Sequence, residues 1–102
     1  MDIFRAEPTG VRGELRLIGE LDISGADALA EAIASIDHPA EPLTFDLARL
    51  EFIDSSGLRE LLRATRERAR RVRLVAPSPA VHRVLEVAGV LTAFDVIEAP
   101  PA

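Results

Sequence analysis

The feature that most constrains the fold of this chain is the alternation of strand-like segments with segments of helical periodicity. Strand patterns occur at residues 3–7, 13–19, 42–48, 72–76 and 94–97. Apolar residues recur at helical spacing in residues 24–37, in residues 57–70 and in the segment that begins at Pro79. The predicted order is β-β-α-β-α-β-α-β. It indicates an α/β fold, with a mixed sheet of about five strands that opens with a β-hairpin and has the helices packed on it.

Length and composition fit one domain. The chain has 102 residues, of which 48% are hydrophobic and none is cysteine, so it can bury a core without disulfides. We expect a single domain over residues 1–98 and a frayed tail over residues 99–102. The chain has no apolar run of about 18 residues and no signal-peptide pattern at its N-terminus. We therefore expect a cytoplasmic protein that does not associate with membranes. Nothing in the sequence demands more than a monomer.

Three local signals predict where helices begin and end. Ser24 is a candidate N-cap of the first helix, which His38-Pro39 would end. Ser78 is placed to cap the third helix, with Pro79 at its first position. Gly89 stands where a glycine commonly follows the end of a helix.

The charge balance argues against direct binding of nucleic acid. The formal net charge is −5, whereas a polyanion needs a positive surface. One local exception is a set of arginines on and after the second predicted helix: Arg59, Arg63, Arg66, Arg68, Arg70, Arg71 and Arg73. Glu60 and Glu67 can pair with Arg63 and Arg71, which favours a solvated face over a contact with an acidic partner.

Three loops are candidates for a functional site because each leads from a strand into a helix N-terminus: residues 19–24, 53–57 and 77–79. Such loops gather at the carboxyl edge of a parallel sheet, where helix dipoles favour anions. The segment Asp54-Ser55-Ser56-Gly57 has two interpretations. It is either an ordinary helix cap or a phosphoacceptor loop in which one serine caps the helix and its neighbour is exposed.

Three motifs in order resemble those of the STAS-domain anti-sigma-factor antagonists. They are Gly19-Glu20-Leu21-Asp22, Phe52-Ile53-Asp54-Ser55-Ser56-Gly57-Leu58, and Pro77-Ser78-Pro79-Ala80-Val81 followed by Val84-Leu85 and Gly89. The resemblance covers nearly the whole chain. It implies a bacterial protein that, when unphosphorylated, binds an anti-sigma factor and thereby frees a sigma factor.

The resemblance also implies a switch. The anti-sigma factor is often a serine kinase with an ATPase fold, which phosphorylates the first serine of the loop and ends the interaction until a phosphatase restores it. By position the acceptor is Ser55, and Ser56 is then expected to be the cap. Asp22 and Asp54, with Ser55, Ser56 and Gly57, are expected at the partner interface and not as catalysts.

Two departures from the family pattern are present. Ser24-Gly25 replaces the usual Thr-Ala, so the first helix is expected to start late or to be less stable. Residues 68–72, Arg-Ala-Arg-Arg-Val, replace a glycine-rich turn before the fourth strand, so that turn is tighter or the helix runs on.

Catalysis is not expected, and no cofactor is implied. His38 and His82 lack metal-ligand spacing, and the chain has neither a G-x-S-x-G elbow nor a phosphate-binding G-x-x-x-x-G-K-[ST] loop. Two other binding functions stay open. The same domain occurs as a constitutive subunit of ABC-type lipid-transport complexes and in large stress-signalling assemblies.

Overall fold

The computed structural model of the protein describes residues 3–36, 42–67 and 71–98. The elements are β1 (Arg5–Pro8), β2 (Glu14–Leu21), α1 (Ile23–Ala34), β3 (Leu43–Ile53), α2 (Ser55–Glu67), β4 (Val72–Val75), α3 (Pro79–Val87), a short 3-10 helix (Leu91–Ala93) and β5 (Asp95–Ile97). The predicted element order is confirmed. α1 ends at Ala34 with Ser35 as its C-cap, so the prediction of a helix that continues to residue 37 and ends at His38-Pro39 was wrong. The turn at residues 68–70 and the tail at residues 99–102 lie outside the described residues.

The sheet is mixed, as predicted. Its strand order is β1-β2-β3-β4-β5. β1 pairs with β2 in antiparallel fashion, and the remaining neighbours are parallel. Because each parallel connection contains a helix, the carboxyl ends of β2 and β3 lead directly into α1 and α2.

The core is one apolar cluster that lies on one face of the sheet. Along β2, every second residue is buried, and the residues between them, such as Arg16 and Glu20, are only partly buried. Side chains from all three helices join the same cluster, including Leu29, Leu61 and Leu85. Among the described residues, none of these helices is long and apolar enough to cross a membrane.

β3 is longer than predicted, because it runs to Ile53 and not to residue 48. Its register against β2 shifts twice, so that an extra residue of β3 is accommodated each time. The buried residues Leu47, Leu50 and Ile53 are therefore three positions apart, whereas an unbroken strand buries every second residue. The predicted end of this strand at residue 48 was wrong for that reason.

α1 begins at Ile23, and its N-cap is Asp22, whose side chain accepts a hydrogen bond from the Ser24 backbone N–H. The prediction of Ser24 as the cap was wrong, and so was the expected late start. Gly25 lies inside the first turn and is buried against Phe4. A Cβ at this position would lie 2.9 Å from the Cβ of Phe4, so close packing explains the glycine.

α3 begins and ends as predicted. Ser78 caps it, and Pro79 occupies its first turn. At the other end Gly89 has a φ of +73°. Its N–H donates to the carbonyl of Glu86, and the N–H of Val90 donates to that of Leu85, which is the hydrogen-bond pattern of a Schellman motif.

Candidate functional site

Two acidic residues lie side by side where β2 and β3 end. Leu21 is the register partner of Ile53, so the residues that follow, Asp22 and Asp54, leave the sheet at the same level. The backbone N–H of Asp54 donates to the carbonyl of Leu21 at 3.1 Å. α1 and α2 thus start from matched positions on neighbouring strands.

The carboxylate of Asp22 is held by the first turn of α1. Its Oδ1 accepts hydrogen bonds from the backbone N of Ser24 at 3.0 Å and from the Ser24 hydroxyl at 2.6 Å. The hydroxyl bond is the main reason that the pKa of Asp22 is lowered from its ordinary value of 3.8. Desolvation opposes this effect, and backbone N–H groups of Ser24 and Gly25 reinforce it. Asp22 is therefore a stable negative charge at neutral pH.

Asp54 does the same for α2. Its Oδ1 accepts from the backbone N of Ser56 at 2.9 Å and from that of Gly57 at 3.2 Å. The expectation that Ser56 caps the helix was therefore wrong, because the preceding carboxylate already satisfies these N–H groups. Ser55 becomes the first residue of the helix and Ser56 the second.

The two serines differ in exposure. The side chain of Ser55 is exposed, and that of Ser56 is partly buried. Within residues 3–36, 42–67 and 71–98, the Ser55 hydroxyl makes no hydrogen bond. A reagent or enzyme therefore reaches Ser55 more easily than Ser56.

Gly57 is required by packing. It is buried, and a Cβ added there would overlap Cγ of Leu21 and lie 2.8 Å from its Cδ2 and 3.1 Å from Cγ1 of Ile53. The absence of a side chain lets the first turn of α2 rest directly on the ends of β2 and β3. This contact fixes the height at which Ser55 stands above the sheet.

Ser55 also lines an open cavity of about 340 Å³ between the start of α2 and the second half of α3. The other lining residues are largely apolar: Leu58, Arg83, Val84, Val87 and Ala88. Val87 is 73% exposed. Arg83 and Val87 were not predicted from the sequence. The one available signal was that Val87 is an apolar residue outside the buried stripe of α3.

The third candidate loop does not join this site. β4 ends at Val75, which is the register partner of Asp46, so the loop at 77–79 begins level with the middle of β3. The Ser78 hydroxyl accordingly donates to the carbonyl of Leu50 at 3.3 Å. All three loops leave the carboxyl ends of parallel strands, but this one starts further back because β4 ends level with the middle of β3.

The arginine-rich face of α2 is only partly as predicted. Arg63 pairs with Glu60 at 3.5 Å, as expected. Arg71 instead pairs with Asp95 at 2.6 Å. The side chain of Glu67 lies outside the described residues, as do Arg68 and Arg70.

The histidine that the structure describes has an acidic neighbour. Nε2 of His82 lies 3.3 Å from Oε1 of Glu98. Among the described residues, no cluster of three His, Asp or Glu side chains is placed to hold a metal ion. His38 lies outside those residues.

Comparison with known proteins places this geometry in a family. The family model described as Mlab, STAS domain, matches residues 4–97. The anti-sigma factor antagonist SpoIIAA in its unphosphorylated form is 26% identical, with a TM-score of 0.72 over 96% of this chain and 89% of that chain. No curated protein matches the chain.

Two further solved structures agree. An anti-sigma factor antagonist from Mycobacterium paratuberculosis is 26% identical, with a TM-score of 0.74 over 95% of this chain and 86% of that chain. A Thermotoga maritima protein, 20% identical, shares the fold with a TM-score of 0.69 over 94% of this chain and 86% of that one. The predicted resemblance is confirmed: the chain belongs to the STAS-domain family, and solved anti-sigma factor antagonists are similar to it.

Proposed function

We propose that this protein is an anti-sigma-factor antagonist whose binding is switched off by phosphorylation of Ser55. The unmodified protein binds an anti-sigma factor that is also a serine kinase with an ATPase fold, and a sigma factor is released. The kinase then modifies the antagonist, and a phosphatase reverses the modification. The protein acts in the cytoplasm, as a monomer with one binding domain over residues 1–98, and is not itself an enzyme.

The observation that supports this proposal is that Asp54, and not Ser55, caps the start of α2. Asp54 performs the capping, which leaves the exposed Ser55 hydroxyl available. In the transfer, Oγ of Ser55 forms a bond to the γ-phosphorus of ATP while the bond from that phosphorus to ADP breaks. The hydroxyl proton passes to a base of the kinase, and ADP leaves.

The charge around Ser55 explains why the modification would end binding. A phosphate adds about −1.5 to −2 charge near neutral pH. It would lie beside Asp54, which follows β3, and near Asp22, which follows the neighbouring strand β2. The helix N-terminus offsets part of this charge within the protein itself. An acidic partner surface would be repelled by the phosphate, and a closely fitting one would be blocked by its size. We therefore assign these two aspartates, with Ser55, Ser56 and Gly57, to the partner interface.

Affinity capture from the native lysate tests the proposal. The baits are wild type, Ser55→Ala and Ser55→Glu, and captured proteins are identified by mass spectrometry. Ser35→Glu is the matched charge control, because Ser35 is an exposed residue at the opposite end of α1. We expect wild type, Ser55→Ala and Ser35→Glu to retain a kinase-like ATPase that Ser55→Glu loses.

Other outcomes contradict the switch. If all four baits retain the same transporter ATPase, the protein is a constitutive subunit of a lipid-transport complex. If a captured kinase phosphorylates Ser55→Ala but not Ser56→Ala, the acceptor is Ser56 and the assignment of Ser55 is wrong.

A further inference from the structure

We propose that Arg83 binds the phosphate of phosphorylated Ser55 within the same molecule and so ties α2 to α3. This inference rests on the proposed modification of Ser55. It adds a specific cation, contributed by a different helix, to the phosphorylated state. The modified serine then bridges two helices across the cavity between them.

Ser55 at the start of α2 and Arg83 in the middle of α3 line the same open cavity of about 340 Å³. The lining between them is apolar and includes Leu58, Val84 and Val87. An apolar lining lowers the local dielectric, which strengthens an ion pair formed at its mouth relative to one in open water.

Arg83 is exposed, and within the described residues it makes no ion pair or hydrogen bond. Glu86 and Glu98 line a neighbouring cavity with it, but neither carboxylate pairs with it. The planar guanidinium matches the geometry of a phosphate group and can donate two parallel hydrogen bonds.

The other charges near Ser55 do not provide the same link. Asp54 and Asp22 are negative and favour the recruitment of a cation once the phosphate is present. Arg59 lies four residues after Ser55 on α2, a spacing at which side chains on a helix meet. An ion pair with Arg59 would stay within one helix, whereas Arg83 joins two.

The chemistry predicts a measurable change in the phosphate itself. A nearby cation favours the dianion and so lowers the second pKa of phosphoserine, which is ordinarily about 6. Full-length protein with phosphoserine incorporated at position 55 during translation would be titrated by phosphorus NMR, as wild type and as Arg83→Gln, Arg59→Gln and Arg49→Gln. Arg49 is an exposed arginine that does not line this cavity, so its variant is the matched control for overall charge.

We expect the second pKa to be higher in Arg83→Gln than in wild type by about 0.3 to 0.7, and to be unchanged in Arg49→Gln. Phosphorylation should also shift the amide resonances of α3, and this response should disappear in Arg83→Gln but persist in Arg59→Gln. Equal second pKa values in Arg83→Gln and wild type, or an effect of Arg59→Gln alone, would overturn the inference. Neither measurement needs a partner, so failure here is separate from failure of the capture experiment.

Discussion

The two glycines in the first turns of α1 and α2 show how single residues set the position of the site. Gly25 packs against Phe4, and Gly57 packs against Leu21 and Ile53. Neither has a positive φ within the described backbone, so the requirement is space and not backbone conformation. From the sequence alone, Gly25 is expected to delay or destabilise α1, because close packing between distant residues leaves no local signal.

A substitution at Gly57 tests this requirement. Alanine is a better helix former than glycine by about 1 kcal/mol, yet we expect Gly57→Ala to lower the free energy of unfolding by about 1–3 kcal/mol, because the new methyl group overlaps Leu21. Urea unfolding followed by circular dichroism measures the effect. Ser56→Ala, one residue earlier and free of this overlap, should be close to neutral. A Gly57→Ala protein as stable as wild type would show that close packing does not require glycine at this position.

The hydrogen bond from Ser24 to Asp22 gives a prediction on pH. Because the pKa of Asp22 is lower in the folded state, its carboxylate stabilises the fold at every pH above the unfolded-state pKa, near 3.8. This stabilisation is lost as the pH falls through the folded-state pKa. We expect Ser24→Ala to raise the pKa of Asp22 toward 3.8, measured by carbon NMR of the carboxyl group. Ser35→Ala, at the other end of α1, should leave it unchanged. An unaltered pKa in Ser24→Ala would refute the assigned cause.

At the scale of elements, the second half of β3 was not predicted from the sequence pattern. Its first half follows the period of two and was predicted. Its second half buries Leu50 and Ile53 at intervals of three because two extra residues are accommodated against β2. A strand whose period changes part-way resembles a connection, and the partner strand that explains the change is distant in sequence.

Asp46 supports the first of these irregularities. Its Oδ1 accepts from the backbone N of Ala48 at 3.0 Å, and its Oδ2 accepts from Nε of Arg16 at 3.2 Å. We expect Asp46→Ala to lower the free energy of unfolding by about 1–2 kcal/mol, because both donors lose their acceptor. Asp46→Asn keeps an acceptor and should cost less. Denaturant unfolding of both variants checks the order, and equal stabilities of wild type and Asp46→Ala would contradict it.

Both ends of α3 were predicted correctly, whereas the caps of α1 and α2 were not. Ser78 and Gly89 act within a few residues of their own helix, so local sequence was sufficient. For α1 and α2 the choice between an aspartate and a following serine depends on where β2 and β3 end. Those ends are matched across the sheet by the pairing of Leu21 with Ile53, which no local pattern records.

At the scale of the whole molecule, the fold class could be predicted because the alternation of strands and helices allows few arrangements. The position of Ser55 at the start of the second helix could also be predicted from the motif. The contribution of α3 could not be predicted, because Arg83 and Val87 are distant from Ser55 in sequence and line the same cavity only in the folded protein. The candidate site therefore combines a loop that the sequence identifies with a neighbouring helix whose position only the fold reveals.

The central claim is that a phosphate on Ser55 ends binding to the partner, and the affinity of the two forms tests it most directly. The ATPase-fold partner recovered by capture would be titrated calorimetrically with unmodified protein and with protein carrying phosphoserine at position 55. We predict a Kd at least about tenfold weaker for the phosphorylated form, which corresponds to about 1.4 kcal/mol. Equal Kd values would contradict the account and indicate a binding domain that does not respond to Ser55.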